Sequence, residues 1–192
     1  MSHSLHARLE ALVRASPRLM VVLGVARTLA LPDWMVFSGA VYQTVLNHLT
    51  GRMPDFGLRD YDLGYFDASD LSYEAEDAVI RRVADAFEPP LRHLVEVRNQ
   101  ARVHLWFADK FGEDYPPLAS TAEALSRFVS PIFAVGVRLE DDSRMTVSAP
   151  FGLEDLFALR LRPNAGRSQG FARVAPGVLA RWPELQVVGA TA

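Results

Sequence analysis

Apolar residues recur at helical spacing from the start of the chain: Leu5, Leu9, Leu12 and Val13 fall on one helix face. Ser16-Pro17 then restarts the backbone, because serine caps a helix well and proline suits its first position. A second helix is predicted from there to about Ala30, ended by Leu31-Pro32. Trp34-Met35-Val36-Phe37 is a short apolar run that suits a buried strand. Beyond Ser38-Gly39-Ala40, helical spacing returns at Val41, Val45, Leu46 and Leu49, with Gly51 placed as a C-cap. Ser38-Gly39 therefore lies at a strand-to-helix turn.

The loop from Arg52 to Leu58 leads into a second strand, expected over Asp60 to Phe66. Ser72 is a candidate N-cap, with Glu74, Glu76 and Asp77 in the first turns, where the helix dipole favours anions. Ala75, Ala78, Val79, Val83 and Phe87 continue that helix until Pro89-Pro90. Leu94 to Val97 reads as a third strand, and Asn99 as the cap of a helix running through Phe111 to Gly112. The remainder predicts a helix over 121–128, a hairpin of 133–139 and 144–148, and a short helix after Pro150. Trp34, Tyr61, Tyr65, Phe66 and Trp106 are expected in the core. The sum is a mixed α/β or α+β layer fold; the α+β form, a small mixed β-sheet flanked by helices, is expected. It reads as a single domain over 1–192: a helical N-terminal segment (1–32), a core (33–112) and a C-terminal hairpin and helix extension (113–192).

Composition narrows the chemistry. At 49% hydrophobic residues, the chain can fill a core and is not disordered. The absence of cysteine removes disulfide, thiolate and Cys-zinc chemistry. A net charge of −3 argues against a protein that coats nucleic acid, while leaving room for a local basic groove. The most apolar stretch, Leu19 to Leu31, contains Arg27 and falls short of the ~20 residues a membrane span needs. No signal pattern opens the chain, so a soluble, cytoplasmic protein is expected.

The candidate chemistry centres on Arg59-Asp60-Tyr61-Asp62. Strand alternation puts Asp60 and Asp62 on one face and Tyr61 and Leu63 on the other. Such a pair is either a solvated strand end or a cation site, and Mg²⁺ prefers carboxylate oxygens combined with substrate phosphates. The upstream Ser38-Gly39 turn suits phosphate, because a helix N-terminus presents unpaired N–H groups and Gly39 admits close approach. Glu96, on the next strand, is a third carboxylate or the ion-pair partner of Arg98 or Arg102. Asn99, Gln100, Arg102 and His104 form a polar cluster that could contact base, ribose or phosphate, or supply a cap, a surface amide and a packed histidine. His93 and His104 have no zinc-ligand spacing, and Ser38 lacks the Gly-x-Ser-x-Gly context of a hydrolase nucleophile. Glu140-Asp141-Asp142 reads as a solvated hairpin tip.

These residues also carry a resemblance. The chain is similar to a bacterial nucleotidyltransferase family of the DNA polymerase β-like superfamily. The likeness runs through Ser38-Gly39-Ala40-Val41-Tyr42-Gln43-Thr44-Val45, Arg59 to Asp67, Asp70 to Asp77, Arg98 to Trp106 and Ala149 to Phe157. It implies a polymerase β-like core in which Asp60 and Asp62 are the metal-binding pair and Glu96 the third carboxylate. It further implies that Ser38 and Gly39 form the turn that holds the nucleotide triphosphate; Gln43, Asn99, Gln100 and Arg102 are candidate further nucleotide contacts beside it. Ser38 stands where the superfamily turn usually has its first glycine. The expected reaction moves a nucleoside monophosphate from an NTP to a hydroxyl on a small molecule, an RNA end or a protein. Two Mg²⁺ (or Mn²⁺) ions would serve it, roughly 3.5–4 Å apart. The alternative is a catalytically silent nucleotide-binding or interaction protein on the same fold.

Overall fold

The computed structural model describes residues 2–165 and 167–189. Two helices open it, α1 (Ser2–Arg14) and α2 (Pro17–Thr28). Ser16 is extended at the junction and Pro17 begins α2, as serine and proline favour there. The centre alternates β1 (Met35–Phe37), α3 (Gly39–Leu49), β2 (Tyr61–Tyr65), α4 (Tyr73–Ala86) and β3 (Val95–Asn99). The Ser72 hydroxyl caps α4 by accepting the Ala75 N–H at 3.2 Å.

The segment from Gln100 onward is not the one helix its pattern predicts. A 3-10 helix, Gln100–Leu105, gives way to a short α5 (Phe107–Phe111), closed by Gly112 at φ 69°. The Asn99 side-chain oxygen accepts from both Ala101 N–H and Asp67 N–H, which holds this first turn against the loop after β2. The chain continues through α6 (Thr121–Leu125), β4 (Gly136–Leu139), β5 (Met145–Ser148), α7 (Glu154–Phe157), β6 (Arg160–Leu161), α8 (Ser168–Arg181) and β7 (Gln186–Val187). The hairpin tip bends through Ser143 and carries the exposed Arg144–Asp142 pair.

Five strands make a mixed sheet in the order β3-β2-β1-β4-β5. β1 is antiparallel to β2 and β4, whereas β2 and β3 run parallel, joined by the α4 crossover that parallel pairing requires. Alternation divides the sheet into two faces. Val36, Tyr61, Leu63, Tyr65, Val97 and Val137 join the large core with residues of α1 to α4, a cluster that reaches from Leu9 to Leu185. Met35 and Phe37 belong to a smaller cluster with Leu125 and Ala134 on the other face.

That second face is built around the Phe37 ring. A Cβ at Gly64 would collide with the ring and approach Thr121, and one at Gly136 would stand 2.7 Å from the Met35 sulfur and 3.2 Å from Phe37 Cβ. The ring meets Phe128 edge-on at 5.8 Å. Two further ties bear on the site. Glu76, 4% exposed, forms an ion pair with Arg102 and accepts the Asn99 N–H at 2.8 Å, fastening α4 to the end of β3. Asn47, 1% exposed on α3, accepts the Trp182 indole N–H at 3.0 Å and donates to the carbonyls of Pro54 and Phe56. This holds the loop that delivers Asp60.

Gly64→Ala is expected to destabilise the protein by about 1–3 kcal/mol, the usual cost of overpacking a well-filled site. Urea unfolding measures it; an unchanged midpoint would show that Phe37 has another place to go.

Candidate active site

In-register pairing places Phe37 beside Asp62 and Asp62 beside Glu96, so one row crosses three neighbouring strands. Asp60 sits just before β2, two residues from Asp62 and on the same face. Ser38 follows Phe37 at the other end of the row. Asp60 and Asp62 are half-buried, and Glu96 is exposed rather than turned into the core.

The turn at Ser38 carries strain. Its φ of 56° and ψ of −122° belong to a region that favours glycine. The surroundings fix it there: Ser38 N–H donates to Val135 O at 2.9 Å, and Ser38 O accepts the N–H groups of Val41 and Tyr42, both at 2.9 Å. The serine thus adopts the backbone conformation that a glycine would supply at no steric cost, and its hydroxyl makes no capping bond to the helix. The two N–H groups ahead of those of Val41 and Tyr42, on Gly39 and Ala40, have no partner within the helix.

Ser38, Gly39, Gln43, Asp60, Asp62 and Arg59 line a cleft of 430 Å³, which Arg181 from α8 also enters. Arg181 is held by the carbonyls of Gly57 (3.1 Å) and Gly177 (3.2 Å). Gln43 is 7% exposed; its Nε2 donates to the Tyr42 hydroxyl at 3.3 Å, while its Oε1 is buried without a partner. Asp62 also lines a smaller cavity of 140 Å³ with Glu96, Arg98, Gln100 and Trp106. The carboxylate row therefore separates two openings, one on the Ser38 side and one on the Glu96 side.

The electrostatics follow from this crowding. Burial, then repulsion from Asp60 and Glu96, pushes the Asp62 carboxyl up to about 7 against the pull of Arg98. Asp60 is raised by burial and by Glu96, with Arg59 opposing. Among the described residues, no group of three or more His, Asp or Glu side chains is arranged to hold a metal ion unaided.

The other residues singled out in the sequence divide. Gln100 lines the Glu96 cavity. Asn99 is 2% exposed and fully committed, accepting from Ala101 and Asp67 N–H and donating to Asp67 O at 2.7 Å. Arg102 is bound to Glu76 and to Leu71 O at 2.8 Å. Neither Asn99 nor Arg102 lines the Ser38–Asp62 cleft. Arg102 pairs with Glu76, not with Glu96. His93 is exposed and His104 half-buried. Trp34, Tyr61 and Tyr65 are core, as expected, but Phe66 and Trp106 are only half-buried, Trp106 because it walls the Glu96 cavity. Sequence reasoning missed Arg181, which α8 brings in from far along the chain. It also took Glu76 for a helix-dipole anion, although Glu76, Val79, Ile80 and Val83 share helical spacing and so mark Glu76 as inward-facing.

The family model described as nucleotidyltransferase matches residues 24–187. The chain belongs to this nucleotidyltransferase family. Among solved structures, the nucleotidyltransferase is similar to a protein whose NMR structure is described as revealing a CCA-adding enzyme head domain. The two share 25% identity over 95% of this chain and 94% of that one, with a TM-score of 0.77. It is also similar in fold to a CCA-adding enzyme solved with CTP, at 13% identity and a TM-score of 0.55. That alignment covers 94% of this chain and 43% of the other. A comparison with curated proteins finds no match. The fold is thus the polymerase β-like nucleotidyltransferase core expected from the sequence. Among the described residues, no helix is long and apolar enough to cross a membrane.

Two predictions follow from the strain and the charge. Ser38→Gly should relieve the positive-φ penalty and raise stability by about 1 kcal/mol. For a chain of this size that is a Tm rise of about 2–4 °C, read by calorimetry; a fall would show that the serine side chain makes a structural contact. Asp62, raised in the folded state, binds a proton there that the unfolded chain has released. Its contribution to metal-free stability is therefore full below about pH 4 and lost as pH rises toward 7. Asp62→Asn should be more stable than wild type at pH 8 in EDTA by at least about 1 kcal/mol, the gap narrowing as the pH falls toward 4. Denaturant titrations at both ends of that range measure it, and a less stable Asn variant at pH 8 would mean that the carboxylate holds the fold together.

Proposed function

We propose that this nucleotidyltransferase moves a nucleoside monophosphate from an NTP to a hydroxyl acceptor, using Asp60, Asp62 and Glu96. The observation that carries the reading is the row itself: crowded, partly desolvated carboxylates beside a strained helix-start turn. Nucleotidyltransferases generally use divalent metal ions, and the donor set fits one. Burial first, and then repulsion from Asp60 and Glu96, penalises the charged form of Asp62, and a cation would relieve both. Because the side chains do not enclose an ion unaided, nucleotide phosphates would complete its coordination, the usual manner for Mg²⁺. When bound, Mg²⁺ or Mn²⁺ would neutralise triphosphate charge and make the acceptor hydroxyl easier to deprotonate.

The chain's own groups divide the remaining work. Gly39, the N–H groups at the start of α3 and the Ser38 hydroxyl offer donors to the β- and γ-phosphates. Arg59 and Arg181 add positive charge to the same cleft. The buried Gln43 amide has an unpartnered Oε1 to offer a ligand donor. Strand order puts Glu96 on the opposite side of Asp62 from the turn, so an acceptor entering the Glu96 cavity approaches from the side away from the phosphates. A bond then forms from the acceptor oxygen to the α-phosphorus, the bond to the β-phosphate oxygen breaks, and pyrophosphate and the hydroxyl proton leave. A silent nucleotide-binding role would draw on the lost glycine of the turn, but Ser38 keeps a glycine-like backbone.

The test supplies each α-labelled NTP with Mg²⁺ and pooled small molecules, RNA or protein, and follows label transfer and pyrophosphate release. Wild type should transfer label to one pool. Asp60→Asn and Asp62→Asn should each lose at least about 100-fold, the scale of removing a group that stabilises transition-state charge. Full transfer by Asp62→Asn would overturn the site; nucleotide binding with no transfer to any pool would favour the silent role.

A further inference from the structure

A further recess adjoins the Ser38 turn, and apart from Ser38 its lining has no part in the phosphate and metal contacts above. Its volume is 390 Å³, within the range of small-ligand pockets. Ser38 and Tyr42 line both this recess and the phosphate cleft, and Gln100 lines both it and the Glu96 cavity. It is therefore reached from the turn on which the triphosphate would rest.

Its walls are flat rings and guanidinium groups. Phe107 stands 4.7 Å from Phe111 and 4.4 Å from Tyr115, centroid to centroid. Arg167 lies 5.2 Å over the Phe107 ring and Arg173 5.6 Å over Phe111. Arg127 comes from the facing segment, whose backbone Asn164 braces by donating to Ser126 O (2.9 Å) and Phe128 O (2.8 Å). Among the described residues, no carboxylate lines the recess. The acidic partners of these arginines, Glu113 and Glu123, stand outside its lining, at 3.1 Å from Arg167, 3.6 Å from Arg173 and 3.6 Å from Arg127.

Two donors here are unanswered. The Nε–H groups of Arg127 and Arg167 are buried without an acceptor. Leaving a buried donor unmet costs about 1–3 kcal/mol, so a turn of either guanidinium toward a ligand that presents acceptors in this recess would recover that cost. The same ligand has to suit mostly apolar walls. A bare polyphosphate would lose hydration against phenylalanine rings, and an aliphatic chain brings no acceptor. A planar heteroaromatic ring meets both conditions: its face stacks on aromatic and guanidinium planes and its edge carries carbonyl or ring-nitrogen acceptors.

We propose that this recess seats the base of the incoming nucleoside triphosphate, with Phe107 and Arg167 at the ring face and Arg127 at its acceptor edge. This rests on the reading of the Ser38 turn as the triphosphate site and names where the rest of that nucleotide goes. Tyr115, whose hydroxyl burial pushes up to about 12, stays neutral beside it.

The test compares Mg²⁺·NTP with Mg²⁺·tripolyphosphate, which shares the phosphates and lacks the base. Calorimetric titrations are run on wild type, Arg127→Gln and Phe107→Leu. Wild type should bind its best NTP more tightly than tripolyphosphate. Both variants should weaken that NTP at least tenfold and keep tripolyphosphate within twofold, which also shows that they are folded. Unchanged NTP affinity in both variants would overturn the base site while leaving the phosphate site standing, and would free the recess for the acceptor. Equal loss of both ligands would overturn it as well, since no base-specific contact would then exist. If wild type binds neither ligand, the base site falls together with the functional reading beneath it.

Discussion

The Phe37 ring has room on the second face of the sheet because Gly64 and Gly136 flank it without side chains. That packing holds the end of β1, and the two features of the candidate site are attached to that end. The next residue along the chain is Ser38, where the backbone turns into α3. The next residue across the sheet is Asp62, paired in register with Phe37. A strand of only three residues, Met35–Phe37, would be a weak anchor alone. Antiparallel neighbours on both sides and an edge-on contact with Phe128 make it a firm one.

Around that anchor the protein keeps costs that a merely structural domain would shed. A serine is held where glycine is easier, a buried amide oxygen lacks a partner, and carboxylates crowd one face. These local conflicts gather within a few residues of one another, while the opposite face is a continuous apolar core. Conflict confined to one place is what a site exhibits when the rest of the sequence agrees with its fold.

Much of the architecture was legible because local rules and tertiary packing coincide there. Ser16-Pro17 and Ser72 begin helices where they should, and strand alternation put Asp60 and Asp62 on the face away from Tyr61 and Leu63, while only the in-register pairing of β2 with β3 brings Glu96 to that face. Other parts were hidden for physical reasons. α8 went unread because Gly170, Pro176 and Gly177 punctuate it, yet Ala175, Val178 and Trp182 are buried and hold that segment in place. Glu76 was misjudged because its position near a helix start explained it sufficiently; its partner Arg102 lies 26 residues away and only the fold joins them. The sign of φ at Ser38 is imposed by Val135, also distant in sequence. Arg181, Arg127 and Arg167 enter their cavities from segments that no local pattern connects to Asp62.

The Asn47 junction couples parts of the chain that are far apart in sequence. Its side chain reaches the carbonyls of Pro54 and Phe56 on one side and the Trp182 indole on the other, and that indole is fully buried. The end of α8 therefore cannot fray on its own: releasing Trp182 strips the Asn47 side-chain oxygen of its donor and loosens the stretch that presents Asp60. In hydrogen exchange, the amides around α3 and those near the end of α8 are expected to open as one unit, which would make the last helix part of the sheet's folding unit rather than an appendage.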